Sequence, residues 1–97
     1  MSGQNGLAYS PAPDIAWVKD AGQTILVDGL GGKSWILHGL EAAAWDLLAL
    51  GYSFEEAAGS LALLAGMDDE GGRTTLLATV RRWREAGILC AAEGKRP

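Results

Sequence analysis

Ser34-Trp35-Ile36-Leu37-His38-Gly39-Leu40-Glu41-Ala42-Ala43-Ala44-Trp45-Asp46-Leu47-Leu48 changes its period part-way along, and that change sets the architecture. Up to Leu37 the side chains follow the two-residue rhythm of a strand, with Trp35 and Leu37 on one side and Ile36 on the other. Beyond His38-Gly39 the period becomes about 3.6 residues. Leu40, Ala44, Leu47 and Leu48 then share one helical stripe, which Gly51 is placed to stop. A strand therefore feeds directly into a helix.

Upstream, residues 15–19 and 24–28 are two further strand candidates, rich in Ile, Val and Trp. Ala21-Gly22 separates the first pair and Gly29-Leu30-Gly31-Gly32 the second, and connections this short join antiparallel neighbours. A three-stranded meander is predicted. Ile25 and Val27 fall on one face and Leu26 on the other, so apolar material is expected to cover both faces at least partly. Residues 1–13 mix Gly, Ser and Asn with Pro11 and Pro13 and read as a flexible segment, with order beginning near Asp14.

Downstream, Ser53-Phe54-Glu55-Glu56 matches a capping box: Ser53 accepts from the backbone of Glu56, whose side chain reaches back. The second helix starts there, carries Phe54, Ala57, Ala58, Leu61 and Leu64 on its apolar stripe, and ends at Gly66. Asp68, Asp69 and Glu70 place negative charge at the start of a third helix. Gly71-Gly72 weakens its first turn, so its ordered part is expected to begin nearer Arg73. Leu76, Leu77, Val80 and Trp83 form its stripe, Gly87 stops it, and residues 91–97 are expected to fray. The fold class is α+β and winged helix-turn-helix-like: a three-stranded antiparallel sheet followed by three helices, one domain over residues 14–90.

The chain has 97 residues, 48% of them hydrophobic, enough for one core. No apolar run approaches the roughly 20 residues of a membrane span, and the amino end lacks a secretory pattern, so a cytoplasmic location is expected. With a single Cys90 there is no internal disulfide, and no cysteine or histidine cluster stands at metal-ligand spacing. No metal, cofactor or catalytic residue is expected. The one histidine, His38, has no visible partner for acid–base work and reads as a junction residue; Asp46 stands alone among apolar neighbours. The glycine-rich stretch at 29–32 lies between strands, whereas a phosphate cradle opens a helix.

Arg73, Arg81, Arg82 and Arg84 lie on the third helix, where a winged-helix regulator would present its DNA-reading helix. Against that alternative, 12 acidic residues outnumber 8 basic ones and the net charge is −4. A carboxylate-bearing peptide would satisfy the same arginines, and a solvated helix face accounts for part of the cluster. The last strand of the meander carries the sharper argument. It is an edge with neither charge nor proline in Ser34-Trp35-Ile36-Leu37, which makes it either an aggregation hazard or a docking site for an extended peptide, unless a helix or a second subunit covers it.

Taken in order, Ile25-Leu26-Val27-Asp28, the run from Trp35 to Leu48, Gly51-Tyr52-Ser53-Phe54-Glu55-Glu56 and Trp83-Arg84-Glu85-Ala86-Gly87-Ile88-Leu89 resemble the PqqD-like family. These are the recognition elements of ribosomally synthesised, post-translationally modified peptides. The resemblance implies a leader peptide added to the third strand of the meander and seated against the third helix. By position it implies binding by Lys33, Ser34, Trp35, Ile36 and Leu37 of the strand and by Arg73, Leu77, Val80, Arg81 and Arg84 of the helix. The implied partners are a precursor leader and a separate modifying enzyme, with a free-standing, non-catalytic adaptor between them; no nucleic acid or membrane partner is expected, and a homodimer is possible. Many relatives have an asparagine in the approach to the first helix, where this chain has His38-Gly39.

Overall fold

Ala21 and Gly22 both sit at positive φ, 52° and 82°, the twist that a two-residue hairpin turn requires. That turn joins β2 (Ile15–Asp20) to β3 (Gln23–Asp28), and a glycine-rich loop joins β3 to β4 (Ser34–His38). The computed structural model describes residues 8–92. Its other elements are β1 (Ala8–Pro11), α1 (Gly39–Ala49), α2 (Phe54–Ala65), α3 (Asp69–Ala86) and β5 (Leu89–Ala92). Strands β2, β3 and β4 form an antiparallel sheet in that order, as the sequence leads one to expect, and three helices follow.

The register puts Trp17, Leu26 and Trp35 in one cross-strand row and Thr24 opposite Leu37. With Ile15, these side chains form the inner face, on which α1 packs. Trp45 of α1 is the fully buried centre. Trp17 and Trp83 each meet its ring edge-to-face, at centroid distances of 5.6 and 5.4 Å. Among the described residues, two buried polar atoms, Thr24 Oγ1 and Trp45 Nε1, have no hydrogen-bond partner.

The helix ends follow their sequence signals. Ser53 and Glu56 complete the capping box, and Gly66 and Gly87 close α2 and α3 in the left-handed conformation. At α1 the N-cap is His38, whose side chain makes no capping bond.

Three expectations are corrected. Order does not begin at Asp14: Ala8–Pro11 pairs antiparallel with Leu89–Ala92 as a second sheet, and Tyr9 is buried. The partner strand lies at the opposite end of the chain, where no local signal announces it; residues 1–7 and 93–97 are outside the described residues. Secondly, α3 begins at Asp69, capped by Asp68 through the Gly71 N–H at 2.8 Å. A Cβ on Gly72 would collide with the Ala58 carbonyl oxygen and lie 2.9 Å from the Ala62 Cβ. The glycine that weakens the helix locally is thus what lets α2 and α3 approach. Thirdly, the sheet is covered on its inner face only, and Val18, Val27 and Ile36 of the outer face stand exposed. Among the described residues no helix is long and apolar enough to cross a membrane.

Candidate functional site: a free strand edge beside the third helix

Hydrogen-bond parity fixes which groups of β4 are free. The Asp28 N–H donates to the Lys33 carbonyl at 2.8 Å, which makes that pair hydrogen-bonded. Counting in twos along the register, Trp35 bonds Leu26 and Leu37 bonds Thr24. Ser34 and Ile36 therefore turn their N–H and C=O groups away from β3, toward the sheet edge, as His38 does its N–H, while the His38 C=O is the first acceptor of α1. At the opposite edge Trp17 and Lys19 of β2 do the same, by the pairing that starts at Gly29 N–H to Asp14 carbonyl.

The two edges differ in protection. β2 carries Lys19 and Asp20 within the strand, and Lys19 is ion-paired with Asp46 of α1 across a cleft of about 270 Å³ lined by Trp17, Ala49 and Leu50. Charges of this kind blunt an edge. β4 has none, and beside it lies a cleft of about 250 Å³ lined by Trp35, Ile36, Leu37, Glu41, Arg82, Trp83 and Ala86. Leu37 and Trp83 are buried in its wall and Trp35 is half-buried. At its rim Arg82 donates to the Glu41 carboxylate at 2.8 Å, tying α3 to α1. The arrangement offers an extended chain a backbone ladder on one side and an apolar trough, closed by a neutral ion pair, on the other.

The strand residues Trp35, Ile36 and Leu37 meet at this cleft, with Lys33 and Ser34 exposed just before them. The five helix residues do not line it. Val80 is in the core and Leu77 is exposed on another side of α3. Arg81 and Arg84 border a separate depression with Glu85, and the Arg84 guanidinium lies 5.9 Å from the centroid of the Tyr9 ring. Arg73 bridges Glu70 and Glu55, both at 3.3 Å; those hydrogen bonds, Glu70 first, hold its pKa above the ordinary value. Facing the cleft instead are Arg82, Trp83 and Ala86. The signal for them was Trp83: once it turns toward the sheet, Ala86 three residues on flanks the same groove, and Arg82 stands one turn before Ala86.

No family model matches the chain, and no curated protein matches it significantly. Two solved structures have its fold. TbiB1 in complex with the TbiA(beta) leader peptide aligns with a TM-score of 0.78 at 17% sequence identity, over 91% of this chain and 99% of that one. Lasso peptide synthetase B1 complexed with the leader peptide aligns with a TM-score of 0.77 at 22% identity, over 84% of this chain and 95% of that one. The chain shares their fold.

Proposed function

We propose that this chain is a leader-peptide-binding adaptor of the PqqD-like kind, which holds a ribosomally made precursor for a separate modifying enzyme and does no chemistry itself. The observation that carries the reading is the unguarded β4 edge, whose free groups at Ser34, Ile36 and His38 stand beside the apolar cleft. That both fold neighbours are complexes with leader peptides supports it. The leader adds antiparallel or parallel to β4 as a fourth strand and sends alternate side chains into the trough between Trp35, Leu37, Trp83 and Ala86. Each backbone hydrogen bond contributes about 1 kcal/mol net, and burial of apolar leader side chains adds about 25 cal/mol per Å². The helix half of the site is Arg82, Trp83 and Ala86 in this reading, in place of Arg73, Leu77, Val80, Arg81 and Arg84. Held this way, the precursor core reaches the enzyme at raised effective concentration with no new contact to the reacting atoms.

The winged-helix regulator fares worse. Of the arginines that would face DNA, Arg73 is neutralised by two glutamates and Arg82 by Glu41, so α3 presents no continuous positive stripe. Titration with a candidate leader, followed by tryptophan emission from Trp35 and Trp83, tests the proposal. Saturable binding lost on scrambling the leader is expected. Absence of binding to the leader, with tight binding to duplex DNA, would replace it.

A further inference from the structure

At about 100° per residue, Glu70, Arg73, Leu77, Arg81 and Arg84 share one stripe of α3, roughly 80° wide. The stripe is symmetric about Leu77, with Arg73 and Arg81 four residues to either side of it and Glu70 and Arg84 seven. Leu77 is 41% exposed, and Glu70, Arg81 and Arg84 stand in solvent. Charge is sorted by end. In the N-terminal half Glu70 and Glu55 of α2 share the one guanidinium of Arg73, which leaves carboxylate in excess. In the C-terminal half Arg81 and Arg84 form no ion pair among the described residues, unlike Lys19, Arg73 and Arg82, and Arg84 is held over the Tyr9 ring. Arg82 and Ala86 face the β4 cleft about 100° or more further round the helix, so the stripe is a separate surface.

We propose that this stripe is a self-association surface, on which a second copy of the chain packs its α3 antiparallel to the first about a two-fold axis at Leu77. Such an axis sets each residue opposite the one equally far on the other side of Leu77. Leu77 then meets its own copy, and Arg84 meets Glu70 of the second copy, about 10 Å along the helix on both sides of the axis. Arg73 and Arg81 come opposite each other, but Arg73 arrives with its two carboxylates, so each contact joins two carboxylates and one guanidinium to two guanidiniums. Asp69 and Glu85 flank the stripe on opposite sides and do not meet. A polyanion is the poorer occupant, because Glu70 lies within the stripe and the net charge is −4. The 18 residues of α3 make a helix about 27 Å long and 10–12 Å across, which offers roughly 300 Å². That is under half of the about 800 Å² per partner of a standard interface, so the pairing is transient, with a dissociation constant on the order of 0.1 mM. It leaves the β4 edge of both copies open.

The test is sedimentation equilibrium of the whole chain up to about 1 mM, in about 20 mM and about 500 mM salt, for the parent, Arg84→Glu, Glu70→Arg and an equimolar mixture of the two variants. At low salt the average mass of the parent should climb from monomer toward dimer with concentration, and at high salt it should fall back. By symmetry each substitution sets like charges together twice, and it should weaken association about tenfold or more. In the mixture every side chain at position 84 faces one of opposite charge at position 70, so association should return to the parent's level. A parent that stays monomeric at the highest concentration in low salt overturns the proposal. So does association that both substitutions leave unchanged, or that the mixture does not restore. No leader enters these measurements, so their failure is distinct from failure of the leader-binding reading.

Discussion

Replacing Ile36 by proline separates the free edge of β4 from its paired side. The Ile36 N–H points away from β3, so proline there removes no bond of the existing ladder, and the half-exposed Ile36 side chain lies outside the core. The fold should lose about 1 kcal/mol or less, mainly from the outer face of the sheet and the fixed φ. A leader strand loses more: one hydrogen bond, about 1 kcal/mol, plus about 1–2 kcal/mol for the leader carbonyl left facing the pyrrolidine ring without a donor. Together that is roughly 2–3 kcal/mol, a loss of about 30- to 150-fold in affinity. Proline at Trp35 is the counterpart. It removes the N–H that bonds Leu26 and a half-buried indole, and should cost about 3 kcal/mol or more of folding stability. Thermal unfolding and calorimetric titration of the two variants side by side read both quantities. Equal destabilisation by the two prolines would refute the parity, and a folded Ile36→Pro protein with unchanged leader affinity would refute the use of this edge.

Arg82→Ala should weaken leader binding several-fold with little effect on stability, since its ion pair with Glu41 is solvent-exposed and contributes at most about 1 kcal/mol; Arg81→Ala should leave titration curves unchanged. Thr24→Val removes a buried hydroxyl that has no protein partner and should stabilise the fold by about 1 kcal/mol, visible as a rise of roughly 4–8 °C in melting temperature. Gly72→Ala should cost about 1–3 kcal/mol in denaturant unfolding, because its methyl group meets the Ala58 carbonyl and the α2–α3 contact must open. An unaltered midpoint there would show that the helices yield more easily than their packing indicates.

Local signals carried most of the architecture. The change of period at His38-Gly39, the Ala21-Gly22 turn and the Ser53–Glu56 capping box each act within a few residues, and each marks an element that the structure contains. What escaped depends on partners far apart in sequence. Nothing near Ala8–Pro11 specifies a strand until Leu89–Ala92 lies beside it, and the Gly71-Gly72 pair reads as a weakness until Ala58 and Ala62 are brought against it. The cleft divided the same way. Ser34 to Leu37 could be located from the absence of edge charges, whereas the helix face depended on rotation. A stripe holding both Leu77 and Trp83 is wider than the buried arc, and only packing decides that Trp83 goes in and Leu77 stays out.

Ala8 and Ala92 stand directly opposite each other, at the outermost rung of the β1–β5 pair. Force applied along the chain from its two sides would therefore enter the molecule at one point and peel that pair open rung by rung, from Ala8/Ala92 toward Ala12/Ile88, instead of shearing all of its hydrogen bonds together. A pull would thus release Tyr9 and the clasp at low load while the three-stranded sheet and its tryptophans stayed folded. A peptide tugged through an enzyme while seated on β4 pulls on a different sheet, mechanically insulated from that weak seam.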